Sequence, residues 1–94
     1  FPVLPLVELF PDEGSQNWRL SVVATDRPGL LGDVAQVFAK YNVNLQTAKV
    51  MTLGDRVEDV FVISGASLAQ PRSQMQFERA VLEALTQEKA RAVA

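Results

Sequence analysis

The segment Thr25–Val34, which reads TDRPGLLGDV, joins an apolar strand pattern to an amphipathic helix pattern and so constrains how the chain can fold. Pro28 suits the first turn of a helix, where the amide hydrogen that proline lacks would have no partner. Gly29 allows a ligand or another backbone to come close, and Asp26 is a short acceptor able to cap the helix start. Free amides at a helix N-terminus also favour an anion. Two interpretations stay open here: a capped helix start alone, or a site for a carboxylate.

The chain contains no histidine and no cysteine, and these absences narrow its function. They exclude disulfides, thiolate nucleophiles, the usual zinc sites and a Ser-His-Asp triad. The formal net charge of −2 comes without a basic cluster, whereas a nucleic-acid-binding protein normally has a basic face. No apolar run reaches the about 18 residues of a membrane span. We therefore expect no catalytic residue, no metal site, no nucleic-acid partner and no membrane partner, and the lack of cysteine fits the cytoplasm.

Hydrophobic periodicity predicts the order strand, strand, helix, strand, strand, helix within one domain, 1–94, whose core covers about 18–89. The predicted strands are Val3–Phe10, Trp18–Thr25, Val43–Thr52 and Val57–Ser64, and the predicted helices are Gly29–Tyr41 and about Gln74–Lys89. The alternation slips near Gln46 and Thr47, which indicates a bulge or a bend. The segment Val60–Ile63 is apolar at every position, which is typical of a central strand covered on both faces. Because the chain begins with Phe1, we expect a piece of a longer protein.

From the second strand onward the order is βαββα, a ferredoxin-like βαββαβ unit without its last strand. The first strand can fill that edge position as a hairpin partner of Trp18–Thr25, and Pro5 agrees with an edge. We predict an α+β ferredoxin-like sandwich, a four-stranded antiparallel sheet with two helices on one face. Val23 and one apolar set of Val60–Ile63 then point to the bare face. Such a face indicates self-association or docking to a sibling domain, and the alternative is a modest exposed patch on a monomer.

Two segments resemble a known family. Asp26-Arg27-Pro28-Gly29-Leu30-Leu31, with Asn42-Val43-Asn44-Leu45 after the helix, resembles the ACT domain, a family of small ferredoxin-like regulatory modules that bind amino acids. The resemblance extends from about Trp18 to Leu85. The segment Ala48–Phe61 is similar to the C-terminal ACT domains of the bacterial uridylyltransferase/uridylyl-removing family, where this part typically reads A-K-x-x-T-x-G-E/D-R-V-E-D-x-F.

The resemblance implies an amino-acid site between two ACT domains, formed in part by the turn after the second strand. The ligand-binding residues that it implies are Asp26, Arg27, Pro28, Gly29, Leu30 and Leu31, with Asn44 as a weaker candidate. Outward amides of the turn would bind the ligand carboxylate, and Asp26 would bind its ammonium. The alternatives are that Leu30 only fills the core and that Asp26 only caps the helix. The charged cluster Asp55, Arg56, Glu58 and Asp59 is expected to be a solvated face, or else to dock the catalytic body.

The resemblance also implies a parent enzyme. That enzyme attaches UMP to the PII signalling protein and removes it according to glutamine level, through a nucleotidyltransferase domain and a metal-dependent hydrolase domain. Mg²⁺ is expected for the parent and no cofactor for this domain, and the location is expected to be the cytoplasm. A second possibility is a dimerisation or docking module that binds no ligand, in this parent or in an alarmone synthetase/hydrolase, although the latter fits Gly54–Phe61 less well. A ferredoxin-like enzyme is disfavoured because the sequence has no phosphate-binding loop. An RNA-binding sheet is disfavoured because it needs exposed aromatic residues on its central strands and a basic surface, and Phe61 alone in an acidic chain does not provide these.

Overall fold

The computed structural model describes residues 3–86. In chain order the elements are β1 (Leu6–Pro11), β2 (Trp18–Thr25), α1 (Leu30–Lys40), β3 (Asn44–Lys49), β4 (Thr52–Leu53), β5 (Arg56–Ser64), a short 3₁₀ helix (Ala66–Ala69) and α2 (Pro71–Thr86). The predicted continuation of α2 to Lys89, and the tail after it, lie outside the described residues.

The sheet has the order β1-β2-β5-β3, with the two-residue strand β4 pairing to β5, and every pairing is antiparallel. β1 pairs with β2 along its whole length, from Leu6 opposite Val23 to Pro11 opposite Trp18. The N-terminal strand therefore takes the edge position that the last strand of a ferredoxin-like unit usually fills. This confirms the predicted fold class and the predicted replacement.

The helices cover one face of the sheet. Alternate residues of β2 and β5 point to that face, as the period of two in a strand requires. The buried core is formed by residues of β2, β5, α1, α2 and the 3₁₀ helix. Its fully buried apolar side chains are Leu20, Val22, Ile63, Leu68, Phe77 and Val81. At its centre the Phe38 ring lies 5.6 Å from the Phe61 ring, edge to face, and 5.8 Å from the Phe77 ring. Aromatic pairs at these distances stabilise the contact between helix and sheet.

The element bounds differ from the predictions by more than one residue in three places, and the other bounds within residues 3–86 agree to within one residue. The predicted strand Val43–Thr52 is interrupted after Lys49 and resumes at Thr52, and the predicted bulge is present because the register shifts between Leu45 and Thr47. α2 begins at Pro71, three residues before its predicted start, because proline has the backbone angle and the missing amide hydrogen that suit a first helical position. β1 begins at Leu6 rather than Val3.

Candidate functional site

A cleft of about 290 Å³ lies where β2 ends and α1 begins. One wall is the turn between β2 and α1, and the other is the interrupted segment between β3 and β4, with β5 beneath. The lining residues are Asp26, Arg27, Gly29, Leu30, Leu31, Gly32, Val50, Thr52, Val57 and Asp59. Five of the seven site residues implied by the resemblance thus line one cleft.

The start of α1 is not capped by a side chain. Gly29 is the N-cap residue, with φ of 83°, and no side chain among residues 3–86 caps the helix start. The capping role expected for Asp26 is therefore wrong: its side chain is exposed, and its own N–H donates to the Asp55 carbonyl at 2.8 Å. The first amides of a helix have no partner within the helix. Those of Leu31 and Gly32 are accordingly left for whatever enters the cleft.

Arg27 lines the cleft, but its two terminal nitrogens are bonded to other protein groups, and its buried Nε has no partner within residues 3–86. Its Nη2 donates to Asp33 Oδ2 at 2.9 Å and to the Ala84 carbonyl at 2.8 Å, and its Nη1 donates to the Pro28 carbonyl at 3.3 Å. The side chain is only 18% exposed. It joins the β2–α1 turn to α1 and to the last turn of α2, so its function in the site is to hold the turn in place.

Asp59 lies beneath the cleft and is 2% exposed. Its Oδ1 accepts a hydrogen bond from the Met51 N–H at 3.1 Å, and the Met51 carbonyl accepts one from the Glu58 N–H at 2.9 Å. Burial raises the pKa of the Asp59 carboxyl, the Met51 hydrogen bond lowers it, and repulsion from Asp26 raises it further. No salt bridge to Asp59 is present within residues 3–86. The cleft therefore has two carboxylates in its wall.

The prediction that Asp55, Arg56, Glu58 and Asp59 form a solvated face is wrong for Asp59. Arg56 and Glu58 do form an exposed ion pair, 2.8 Å apart. Sequence reasoning missed Asp59 although the signal was present. Val57, Phe61 and Ile63 face the helices, and Asp59 stands at the same parity on one strand, so it had to point inward with them.

The remaining predicted residues are placed as follows. Leu31 is 45% exposed at the cleft, whereas Leu30 is 4% exposed and fills the core, as its alternative interpretation required. Pro28 is exposed in the turn and does not line the cleft. Asn44 pairs with Ser64, eight residues along β5 from Arg56, which lies beside the turn. That separation is about 26 Å at the usual rise of a strand, so one copy of the chain does not bring Asn44 to this cleft.

The cleft is lined both by the uncapped start of α1 and by the acidic residues Asp26 and Asp59. Amides at a helix N-terminus favour a carboxylate, and carboxylates favour an ammonium. This arrangement suits a small zwitterion. No group of three or more metal-ligating side chains is found in residues 3–86. None of the helices described has the length and apolar character to span a membrane.

The fold and the cleft define a ferredoxin-like α+β module with a strand-to-helix turn as its candidate site. The ACT domain family model matches residues 18–76, and the chain belongs to the ACT domain family. This confirms the family to which the two segments pointed.

The chain is also similar to part of a larger enzyme. It is 68% identical over 85 residues to the bifunctional uridylyltransferase/uridylyl-removing enzyme of Bordetella pertussis, which covers 90% of this chain and 10% of that protein. For the Bordetella avium enzyme of the same name the identity is 69% over 88 residues, covering 94% of this chain and 10% of that protein. For that of Chromobacterium violaceum it is 46% over 85 residues, covering 90% and 10%. The chain thus spans about a tenth of the length of the curated relatives it matches.

Proposed function

We propose that this chain is the amino-acid-sensing regulatory domain of a uridylyltransferase/uridylyl-removing enzyme, with glutamine as the amino acid sensed. The observation that carries the proposal is the cleft, which is lined both by the uncapped start of α1, at Leu31 and Gly32, and by the acidic residues Asp26 and Asp59. A free amino acid has a carboxylate that suits the amides and an ammonium that suits the carboxylates. Glutamine is the amino acid implied by the resemblance to the ACT domains of the uridylyltransferase/uridylyl-removing family.

The regulatory step follows from differential affinity. The cleft is open to one side, and a neighbouring domain that closes it would add contacts to a bound amino acid. A ligand that binds the closed arrangement more tightly shifts the equilibrium toward it by that difference alone. Arg27 supports this mechanism because it ties the turn to the C-terminal turn of α2, so a change at the turn is transmitted to both helices.

Calorimetric titration of the 94-residue chain with glutamine tests the sensor function. Thr52, exposed in the cleft wall, is replaced by phenylalanine to fill the cleft, and Thr47, exposed on β3 away from it, receives the same replacement as a control. Thr52→Phe is expected to weaken binding about tenfold or more, equivalent to about 1.4 kcal/mol. Thr47→Phe is expected to bind as the unmodified chain does. Absence of heat with any amino acid would contradict the proposal.

For the longer protein we propose attachment of UMP to the PII protein and its removal, with Mg²⁺ used in its catalytic parts and no cofactor in this domain. We place it in the cytoplasm, without a nucleic-acid or membrane partner. The names of the relatives support the two reactions. An assay of UMP transfer to purified PII, with and without glutamine, tests this level. A full-length Thr52→Phe variant that keeps its activity but no longer responds to glutamine is the expected result.

A second function, association through the open sheet face, is favoured by a separate observation. The face opposite the helices has five apolar side chains in adjacent rows of β1, β2 and β5. They are Leu6, Phe10, Val23, Val60 and Val62. Leu6 and Phe10 are 48% and 40% exposed. We propose that a second copy or a sibling ACT domain covers this face, as apolar patches of this kind are commonly covered.

Sedimentation velocity over a range of concentrations tests the association. Val23 lies in the middle of the open face, so Val23→Lys is expected to shift the chain from dimer to monomer. Ala35→Lys, at an exposed position of α1, adds the same charge away from this face and serves as the control. An unmodified chain that stays monomeric at millimolar concentration would exclude self-association and leave only a sibling domain as the partner.

A further inference from the structure

We propose that Asp59 determines the ligand specificity of the cleft by binding an ammonium group, so that the cleft selects amino acids over acids of the same shape that lack the amino group. The inference rests on the proposed sensor function and names the residue that recognises the cationic end of the ligand.

The first support is the state of the Asp59 carboxylate. Oδ1 accepts the Met51 N–H at 3.1 Å, and no hydrogen bond or ion pair reaches Oδ2 from any residue of the described part of the chain. A carboxylate offers about four acceptor positions. A group that is 2% exposed and uses so few of them has capacity left for a donor that comes from the cleft.

The second support is electrostatic. Burying a carboxylate without a cation is costly, and buried charges in proteins are normally paired. Burial and repulsion from Asp26 raise the pKa of Asp59, while the Met51 hydrogen bond lowers it. An incoming ammonium would offset both the burial and the repulsion.

The third support concerns Arg27, the one cationic residue among the cleft-lining residues of the described part of the chain. Arg27 lines the cleft, but its guanidinium donates to Asp33, the Ala84 carbonyl and the Pro28 carbonyl. The charged groups that line the cleft are Asp26, Arg27 and Asp59, and the opposite wall contributes only Val50 and Thr52 beside them. With Arg27 held by other groups, the cleft is acidic beside the helix amides.

A purely structural role for Asp59 makes a different prediction. In that case the carboxylate serves only to satisfy the Met51 N–H where the strand is interrupted after Lys49. Asparagine keeps an acceptor for that N–H and removes the charge. Asp59→Asn therefore separates the two roles, because it retains the structural hydrogen bond and loses the attraction for an ammonium.

The experiment is calorimetric titration of the 94-residue chain with three probes. They are glutamine, glutaramate, which is glutamine without its amino group, and 4-aminobutanamide, which is glutamine without its carboxylate. We expect the unmodified chain to bind glutamine about tenfold or more tightly than glutaramate, the size of one charge-assisted hydrogen bond. Asp59→Asn is expected to bring that ratio close to one by weakening glutamine binding. Glu58→Gln, the same change at the adjacent residue on the open face, is expected to leave the ratio unchanged.

A measurement without mutation supplements the variants. In the unmodified chain, binding of 4-aminobutanamide, which has the ammonium but no carboxylate, is expected to weaken as the pH is lowered through the pKa of Asp59, because the protonated carboxyl no longer attracts an ammonium. Equal binding of glutamine and glutaramate by the unmodified chain, or an unchanged ratio in Asp59→Asn, would overturn the inference and leave the sensor function standing. A chain that binds none of the three probes would overturn both.

Discussion

Glu58 and Asp59 are adjacent acidic residues of β5 that point to opposite faces of the sheet and so differ in their exposure to solvent. Glu58 points to the open face, where its side chain is 39% exposed and pairs with Arg56 at 2.8 Å. Asp59 points under the helices, is 2% exposed and has a backbone N–H as its partner. The covered face therefore buries the carboxylate of Asp59 at the cleft, which is unfavourable for a charged group, whereas the open face leaves the carboxylate of Glu58 in contact with water. The three predictions that follow compare matched residues of the two faces.

The largest difference is expected from removing an apolar side chain. Phe61, on the covered face, is 4% exposed and contacts Phe38 edge to face, so Phe61→Ala should lower the free energy of unfolding by about 4 kcal/mol. Val62→Ala, on the open face of the same strand, should cost under about 1 kcal/mol, since a half-buried methyl pair leaves little cavity. Urea unfolding of both variants measures the contrast. Equal losses would show that the open face is covered within the chain or its oligomer.

A smaller difference in the free energy of unfolding is expected when Arg27 and Arg56 are each replaced by alanine. Arg27→Ala removes bonds to Asp33 and to the buried Ala84 carbonyl, and should cost about 2 kcal/mol. Arg56→Ala removes an exposed ion pair and should cost under about 0.5 kcal/mol. Thermal unfolding compares the two. Arg27→Lys should recover only part of the loss because lysine is shorter and has one nitrogen, whereas Arg27 uses Nη2 for Asp33 and Ala84 and Nη1 for Pro28; full recovery would contradict the need for the guanidinium.

The smallest expected difference is in how the stability of Asp59 and Glu58 variants depends on pH. The pKa of Asp59 is raised above its ordinary value of 3.8, so the native state holds that proton more tightly than the unfolded chain does. The stability gained from this is fully present below 3.8 and is lost as the pH rises through the raised native pKa. Asp59→Asn should therefore be more stable than the unmodified chain at neutral pH, with the advantage disappearing in acid. Glu58→Gln should give no such gain. Unfolding midpoints from pH 3 to pH 8 test this, and a loss of stability in Asp59→Asn at neutral pH would contradict it.

Much of the fold could be predicted from the sequence because periodicity and turn residues report local structure directly. The alternation of Trp18–Thr25, the helical stripe after Gly29 and the irregularity near Gln46 each identified an element or a bulge that is present. The edge position of β1 followed from counting strands. The interruption after Lys49 could not be predicted because it depends on a side-chain acceptor, Asp59, that reaches it across the sheet.

The candidate site was predicted less completely. The turn from Asp26 to Leu31 was found from its residue types, since proline and glycine beside a helix start indicate exposed amides. The roles of the turn residues were not predicted correctly. Asp26 does not cap the helix, and Arg27 is bonded to Ala84 of α2, which is more than fifty residues away in sequence. Asn44 was included by resemblance and lies at the opposite end of β5. Burial and long-range hydrogen bonds decide such roles, and neither is visible in a local pattern.

By itself the sequence determined the strand and helix periods, the family, the turn and the inward parity of Asp59. Only the tertiary structure decided that the Asp59 carboxylate would meet Asp26 at one cleft, and that Arg27 would be turned away from it toward Ala84. The physical reason is that parity fixes the direction in which a side chain points, whereas the charges and donors it meets there depend on which distant segments fold against it.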